Sequence, residues 1–358
     1  MMFLTLNDFT ASLKSILSSN DPSVAIAADN DLDGVFSAIL LDLALFNLFD
    51  IEVETYFRNE LRWEIPIDQE FDILIMVDLA YDNTPNYRRA ANQARQSFAI
   101  DHHVTSEKGF PQRVVMYNPC KDGKCYLPAT FLVYEVIMEL GLKTEPLYDY
   151  LNLLGILADA GINFTVNQDR KIKYFYDPKL KNIFEESHVQ FDYLFEQKNY
   201  DGLIYPYFKE KIEALSFEGV EEGWKELYLR FINEITDLST AQELVRKILS
   251  KNNQEFFNIV QQVPKKPTET TKSGIWLINN TSLIGNGVIG RIIAELIGKP
   301  VVAYSCKKFC RVSARAPSDS DINFIPMFSG FGGGHPKACG AFLTQNQFQL
   351  FLEKIKET

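Results

Sequence analysis

Short apolar runs that each end at an acid constrain this chain more than any other feature. Val24-Ala25-Ile26-Ala27-Ala28 carries no polar residue and is short, as a strand buried on both faces would be. It runs straight into Asp29-Asn30-Asp31-Leu32-Asp33-Gly34, and from Val35 to Phe49 the alanine and leucine bias of a helix returns. Strand, acidic loop and helix open a βαβ unit, which implies a parallel sheet. Ile51 to Phe57 reads as a second strand and Phe71 to Val77 as a third, ending at Asp78. Ser97-Phe98-Ala99-Ile100 ends another and leads into Asp101-His102-His103, and Val114 to Tyr117 is closed by Asn118-Pro119. Helices are predicted over residues 7–19, over the basic stretch Tyr87 to Arg95, and from Pro128 through Leu140. A first helical turn has no use for the N–H that proline lacks. The expected class is α/β, a parallel sheet with helices on both faces.

The placing of the acids points to chemistry. Open α/β sheets bind ligands just past the carboxyl ends of their strands. Asp31, Asp33, Asp78, Asp101, His102 and His103 all fall there, and two of the chain's four histidines are adjacent. Asp159 stands near the end of the apolar helix Leu151 to Gly161, where a charge is costly unless it is paired or metal-bound. Any one of these acids alone reads as a cap or a turn. Together they predict a shared metal site. Mixed carboxylate and imidazole ligation favours Mn²⁺ over Mg²⁺, which prefers oxygen and water. Two such ions about 3.5–4 Å apart polarise a phosphoryl group and acidify a water. Negative charge developing on phosphate oxygens then calls for arginines and backbone N–H groups.

The rest of the chain says less about chemistry. Residues 166–265 are rich in Phe, Tyr, Lys and Glu and read as a helical connector or insertion, with His188 a structural residue. Gln261 to Ser273 reads as a linker. A new pattern then begins: strand Ile275 to Ile278, helix Arg291 to Ile297 opened by Asn286-Gly287-Val288-Ile289-Gly290, and strands Val301 to Ser305 and Phe309 to Ala314. A period of two puts Arg311, Ser313 and Arg315 on one face. Gly332-Gly333-Gly334 lets a backbone approach an anion, with His335 beside it. The net charge of −11 argues against a general nucleic-acid coat, though not against a small basic pocket. Five cysteines do not suggest a disulfide framework, so reduced thiols and a cytoplasmic protein are expected. Cys120 and Cys125 read chiefly as flanking a hairpin tip, with a bridge or half a metal site as the other readings. No apolar run approaching a membrane span is apparent, and no membrane association is expected.

These motifs closely resemble the DHH phosphoesterases, in particular their RecJ-like branch. Asp29-x-Asp31-x-Asp33-Gly34, Asp78, Asp101-His102-His103 and Asp159 match that family's motifs in order. Gly287 to Gly290, Arg311-x-Ser313-x-Arg315 and Gly332-Gly333-Gly334-His335 resemble its associated C-terminal domain. The resemblance implies a DHH domain over 1–165, the connector over 166–265, and a smaller mixed α/β substrate-binding domain over 274–358. It implies Asp31, Asp33, Asp78, His102 and Asp159 as ligands of two Mn²⁺ or Mg²⁺ ions, with Asp78 the bridge and Asp29 a further candidate. It makes His103 the histidine facing the phosphate and Asp101 its orienting partner. Arg315, His335 and the glycines become a phosphate clamp joined by Arg311 and Ser313, in a cleft between domains. The implied activity is hydrolysis of single-stranded DNA or short RNA from an end. The alternatives are a diesterase or phosphatase for short oligonucleotides or dinucleotides, or a catalytically silent replication-fork scaffold, and replication or repair proteins are the expected partners. Many relatives carry a histidine four residues before the first ligand aspartate, where this chain has Ala27. It also lacks the extra oligonucleotide-binding domain of longer bacterial RecJ enzymes, which leaves fewer stacking platforms for long strands.

Overall fold

The computed structural model describes residues 2–19, 21–58, 70–79, 91–92, 94–104, 114–159, 161–166, 171–200, 203–264, 266–281 and 285–357. The chain folds into two units. The first takes in Met1–Ile162, Tyr176–Glu196 and Tyr207–Asn252, and the second Asn163–Phe175, Gln197–Pro206 and Asn253–Thr358.

The first unit is built on strands β1 (Met2–Phe3), β2 (Val24–Ala28), β3 (Val53–Phe57), β4 (Phe71–Val77), β5 (Ala94–Ile100) and β6 (Val114–Tyr117). They form one sheet in the order β1-β6-β5-β4-β2-β3, every pairing parallel. Helices α1 (Leu6–Leu17), α2 (Leu32–Phe49), α3 (Ala129–Leu140) and α4 (Pro146–Ala158) belong to its N-terminal part. The apolar runs are strands because both faces of the sheet are covered, and all five residues of β2 are buried. Helix α1 begins on Thr5, whose hydroxyl accepts from the Asp8 N–H at 3.3 Å. The expected helix over Tyr87 to Arg95 lies mostly outside the described residues, and Ala94 and Arg95 begin β5.

Helix α2 corrects one expectation. By length and composition it is apolar enough to cross a membrane, yet 67% of it is buried inside the protein. It is a core helix, packed against α3 and α4.

The stretch 166–265 supplies helices α5 (Lys181–Gln190), α6 (Tyr207–Glu222), α7 (Trp224–Glu234) and α8 (Leu238–Gln262). It also holds strands. β7 (Ile162–Val166) pairs with β8 (Ile172–Tyr176), and β9 (Gln197–Tyr200) pairs antiparallel with β10 (Leu203–Pro206). Ile172-Lys173-Tyr174-Phe175-Tyr176 is the β-branched and aromatic composition that favours a pleated surface. Helix α7 closes the first unit: Phe231 meets Phe36 of α2 edge-on at 5.4 Å, and Tyr228 hydrogen-bonds Thr55 at 2.9 Å. His188 lies between Phe184 and Phe195, as a structural residue would.

The second unit carries a mixed sheet ordered β11-β12-β13-β14-β16-β15. Its members are β11 (Glu269–Thr270), β12 (Trp276–Asn279), β13 (Val301–Cys306), β14 (Cys310–Arg315), β15 (Gly333–His335) and β16 (Ala338–Leu343). Helices α9 (Asn286–Ile292), α10 (Ile325–Phe328) and α11 (Gln345–Glu357) accompany them. β12 and β13 run parallel and the other pairings are antiparallel. Four of the five cysteines are bridged, Cys120 to Cys125 and Cys306 to Cys310, and Cys339 is free and buried. The expectation of thiols is overturned at those four. The latter pair are cross-strand neighbours in the β13–β14 register, with Cα atoms 4.1 Å apart.

Candidate metal centre

Parallel register puts the acids in one row. Ala28 pairs with Val77, Val77 with Ile100, and Ile100 with Tyr117, so four adjacent strands end in step. The residues next along the chain are Asp29, Asp78, Asp101 and Asn118. The Asp78 N–H donates to the Ile100 carbonyl at 3.1 Å, and the Asp101 N–H to the Tyr117 carbonyl at 3.2 Å. Asp78 has a left-handed φ of 56°, a backbone that Asp tolerates better than most residues. The chain therefore turns sharply at the strand end while its carboxyl stays buried, 2% exposed.

The loop after β2 is held by its own acids. The Asp31 carboxylate caps α2, accepting from the Gly34 N–H at 2.9 Å. Gly34 is required because a Cβ there would run into the Asp29 carbonyl and lie 2.9 Å from the Asp29 nitrogen. Asp33 points to the start of α3 and accepts from the Ala129 N–H at 2.7 Å, the Thr130 N–H at 2.8 Å and the Thr130 hydroxyl. Pro128, the residue before α3, caps nothing with its side chain, so this distant carboxylate performs that task. Sequence reasoning missed this second role of Asp33. Asp29 pairs with Arg58 at 3.3 Å.

Asp101 acts as a hub. Its Oδ1 accepts from the His102 N–H at 2.8 Å and the His103 N–H at 3.2 Å, and lies 2.8 Å from His103 Nδ1. Asn118 Nδ2 donates to the His103 carbonyl at 2.9 Å. His102 Nε2 lies 3.2 Å from Asp78 Oδ1 and 3.7 Å from Asp159 Oδ2. Asp159 is the residue that ends α4, and the Tyr126 hydroxyl lies 2.9 Å from its Oδ2 and 2.7 Å from its carbonyl. Tyr126 follows the bridged Cys125, and its ring lies 5.8 Å from that of His102. Nothing in the residue order flagged Tyr126, since no period or motif ties it to Asp159.

One ligand atom from each of Asp78, Asp101, His102 and His103 falls within 4.8 Å of the others, and so do atoms of Asp33, His102 and Asp159. The electrostatics are those of a cation site. Burial raises the Asp31, Asp33 and Asp78 carboxyls, and repulsion among the neighbouring aspartates raises them further. Asp29 is pushed up to about 6 by burial and by Asp31, against the opposing pull of Arg58. Burial and the neighbouring His103 depress His102 to about 3, leaving the neutral imidazole that a metal requires. Burial opposes charge on His103, but Asp101 outweighs it and raises that ring to about 9. Asp78 Oδ1 and Asp101 Oδ2 are buried without a hydrogen-bond donor among the described residues. Several buried carboxyls cannot all ionise unless a cation offsets them, so this donor set fits a divalent ion.

In the second unit, Arg311, Ser313 and Arg315 share a face of β14 as expected. Arg311 pairs with Phe342 of β16, Ser313 with Gly340, and Arg315 with Ala338. His335 of β15 also pairs with Ala338, and Gly333 with Gly340. Glycine at 290 admits the arginine, for a Cβ there would stand 3.2 Å from Arg315 Cγ. Gly332 and Gly334 lie where a side chain would strike the β16 backbone, whereas a Cβ at Gly333 meets nothing.

A family model described as the DHH family, N-terminal domain, matches residues 23–158, and one described as the DHHA1 domain matches 275–358. No curated protein sequence matches the chain. The fold is that of RecJ from Thermus thermophilus in complex with Mn²⁺, at 19% identity and a TM-score of 0.59. That match covers 98% of this chain but 54% of the Thermus chain, so this chain spans about half the length of that relative. An exonuclease RecJ bound to manganese matches at 15% identity and a TM-score of 0.52, over 99% of this chain and 94% of that one. The DHH domain of a protein described as belonging to a family of ribosomal proteins matches at 15% identity and a TM-score of 0.67, over 98% of this chain and 90% of that one.

Proposed function

The chain belongs to the DHH family, with the fold of its RecJ-like branch, and from that premise we propose that it is a divalent-metal-dependent phosphodiesterase acting as an exonuclease on single-stranded DNA or short RNA. The observation that carries the reading is that His102 stands within reach of both Asp78 at the sheet edge and Asp33 and Asp159, with a buried Asp78 oxygen that no N–H or O–H among the described residues satisfies. Asp31, Asp33, Asp78, His102 and Asp159 would hold two ions, Mn²⁺ or Mg²⁺, around Asp78, whose carboxyl is raised by burial and by the charges of Asp31, Asp33, Asp29 and Asp159. When bound, such ions polarise a phosphoryl group and acidify a water.

The chain's own groups do the rest. Asp101 fixes the His103 ring and its charge, so that the imidazolium pairs with a phosphate oxygen. Asp33 ties the metal loop to α3, which keeps the ligands in place before substrate arrives. Arg311, Ser313, Arg315, His335 and the exposed Gly333 backbone supply donors for substrate phosphates.

End-labelled DNA and RNA from dinucleotides to thirty-mers, incubated with millimolar Mn²⁺, test the reading. Stepwise shortening from one end is expected, together with its loss in Asp78→Asn. Cleavage confined to the shortest species would indicate a diesterase for short oligonucleotides or dinucleotides. Failure to cleave any of them would overturn the nuclease assignment.

A further inference from the structure

The second unit carries two exposed rings, Phe309 and Phe342, that the phosphate donors named above leave unused. Cys306 and Cys310 are bridged across the β13–β14 turn and enclose Lys307-Lys308-Phe309. The turn is held further by the Lys307 N–H donating to the Phe309 carbonyl at 3.0 Å, and by Gln345 Nε2 donating to the Lys307 carbonyl at 3.0 Å. Phe309 is 40% exposed and Phe342 of β16 is 61% exposed, and their rings lie 5.0 Å apart, tilted by 30°. The Arg311 guanidinium stands over Phe342 at 5.9 Å from the ring centre, and Lys308 Nζ over Phe309 at 5.9 Å.

Two large exposed apolar rings cost free energy unless something covers them. The strand register says what lies in line with them. Cys310, Val312 and Ala314 point into the core with Cys339 and Leu343, so Phe309, Arg311, Ser313 and Arg315 share the opposite face with Phe342. The ring pair therefore stands at one end of a row whose other end is Arg315 and His335. The separation along β14, from Arg315 to the Arg311–Phe342 pair, is about 13 Å, roughly four nucleotides at stacked spacing.

We propose that Phe309 and Phe342, flanked by Lys307, Lys308 and Arg311, form a base-stacking subsite for a single-stranded oligonucleotide held at Arg315. Every base has a face that stacks on an aromatic ring, and the cations suit the intervening phosphates. The disulfide keeps the platform rigid, so little order is lost on binding. A net charge of −11 for the whole chain makes this local cluster of cations the more distinct.

The proposal rests on the nucleic-acid reading above, and the test separates the two. Hydrolysis and fluorescence-anisotropy binding of labelled di- and octa-adenylate are measured with Mn²⁺ for wild type, Phe309→Ala, Phe342→Ala and Phe342→Trp. Each alanine variant is expected to raise KM for the octamer about tenfold and leave the dinucleotide within about twofold. Phe342→Trp restores the octamer. If the wild type neither cleaves nor binds either oligonucleotide, the parent reading fails and the subsite with it. Cleavage of both with unchanged KM in the alanine variants overturns the subsite alone, as does an equal loss on both lengths. Concentration-dependent self-association abolished by Phe342→Ala, with octamer KM unchanged, would assign the rings to a second copy of the chain and overturn it too.

Discussion

Tyr126 bears on the metal centre without belonging to any motif. Its hydroxyl proton is shared between the carboxylate and the carbonyl of Asp159, the one candidate ligand that no strand end positions. A hydrogen bond to a charged group contributes about 1.5–3 kcal/mol, so Tyr126→Phe should weaken Mn²⁺ binding by roughly tenfold or more, read by calorimetry. An unchanged affinity would mean that Asp159 needs no such support. Ala27 gives the opposite case. It is fully buried in an apolar cluster with Tyr56, Leu74 and Met76. Ala27→His should lower stability by about 1–3 kcal/mol through overpacking, seen as a melting midpoint several degrees lower. A midpoint equal to wild type would show that the ring has room. The positions of Asp31, Asp33, Asp78 and Asp101 at most a few residues past strand ends were legible in the order of residues. The partners of each carboxylate were not, because Thr130 and Arg58 lie far away along the chain.

Among the elements, the junction of α3 with α4 is the tightest support of the site. Gly155 of α4 lies where a Cβ would run into the Thr130 hydroxyl and methyl, and Thr130 is what holds Asp33. Gly155→Ala should therefore push α4 away from the start of α3 and disturb Asp33. The expected cost is about 1–3 kcal/mol of stability, together with weaker Mn²⁺ binding, checked by melting curves and metal titration on the same sample. Lower stability with unaltered metal affinity would separate the helix packing from the site. Strands β2, β4 and β6 and the end of β5 were readable because residues buried on both faces are almost all apolar, whereas Ala94 and Arg95 of β5 fell in the expected helix. The small strands β8 to β10 were not, since runs of four or five residues between helical patches are too short for a period to tell strand from helix.

At the scale of the whole molecule, each unit has its own sheet and core, and the candidate ligands Asp29 to Asp159 all belong to the first. A ligand stabilises what it binds, by about 2.7 kcal/mol at a hundred times its dissociation constant. Added Mn²⁺ should thus slow amide exchange in residues 29–34, 101–103 and 126–130 while leaving β12 and β13 unchanged, as followed by hydrogen-exchange mass spectrometry. Uniform protection, or none in those loops, would put the metal elsewhere. The chain passes between the units more than once, because 163–175 and 197–206 join the second while the helices around them join the first. No linker composition announces those passages. By itself the sequence determined the α/β class, the row of acids at the strand ends and the family, because burial on two faces and a period of two leave their mark on consecutive residues. Only the tertiary structure decided that Asp33 caps a distant helix, that Tyr126 braces Asp159, that four cysteines pair, and that two phenylalanines stand exposed in line with Arg315. Each of those depends on which residues far apart in the chain are brought within a few ångströms, and that is settled by packing.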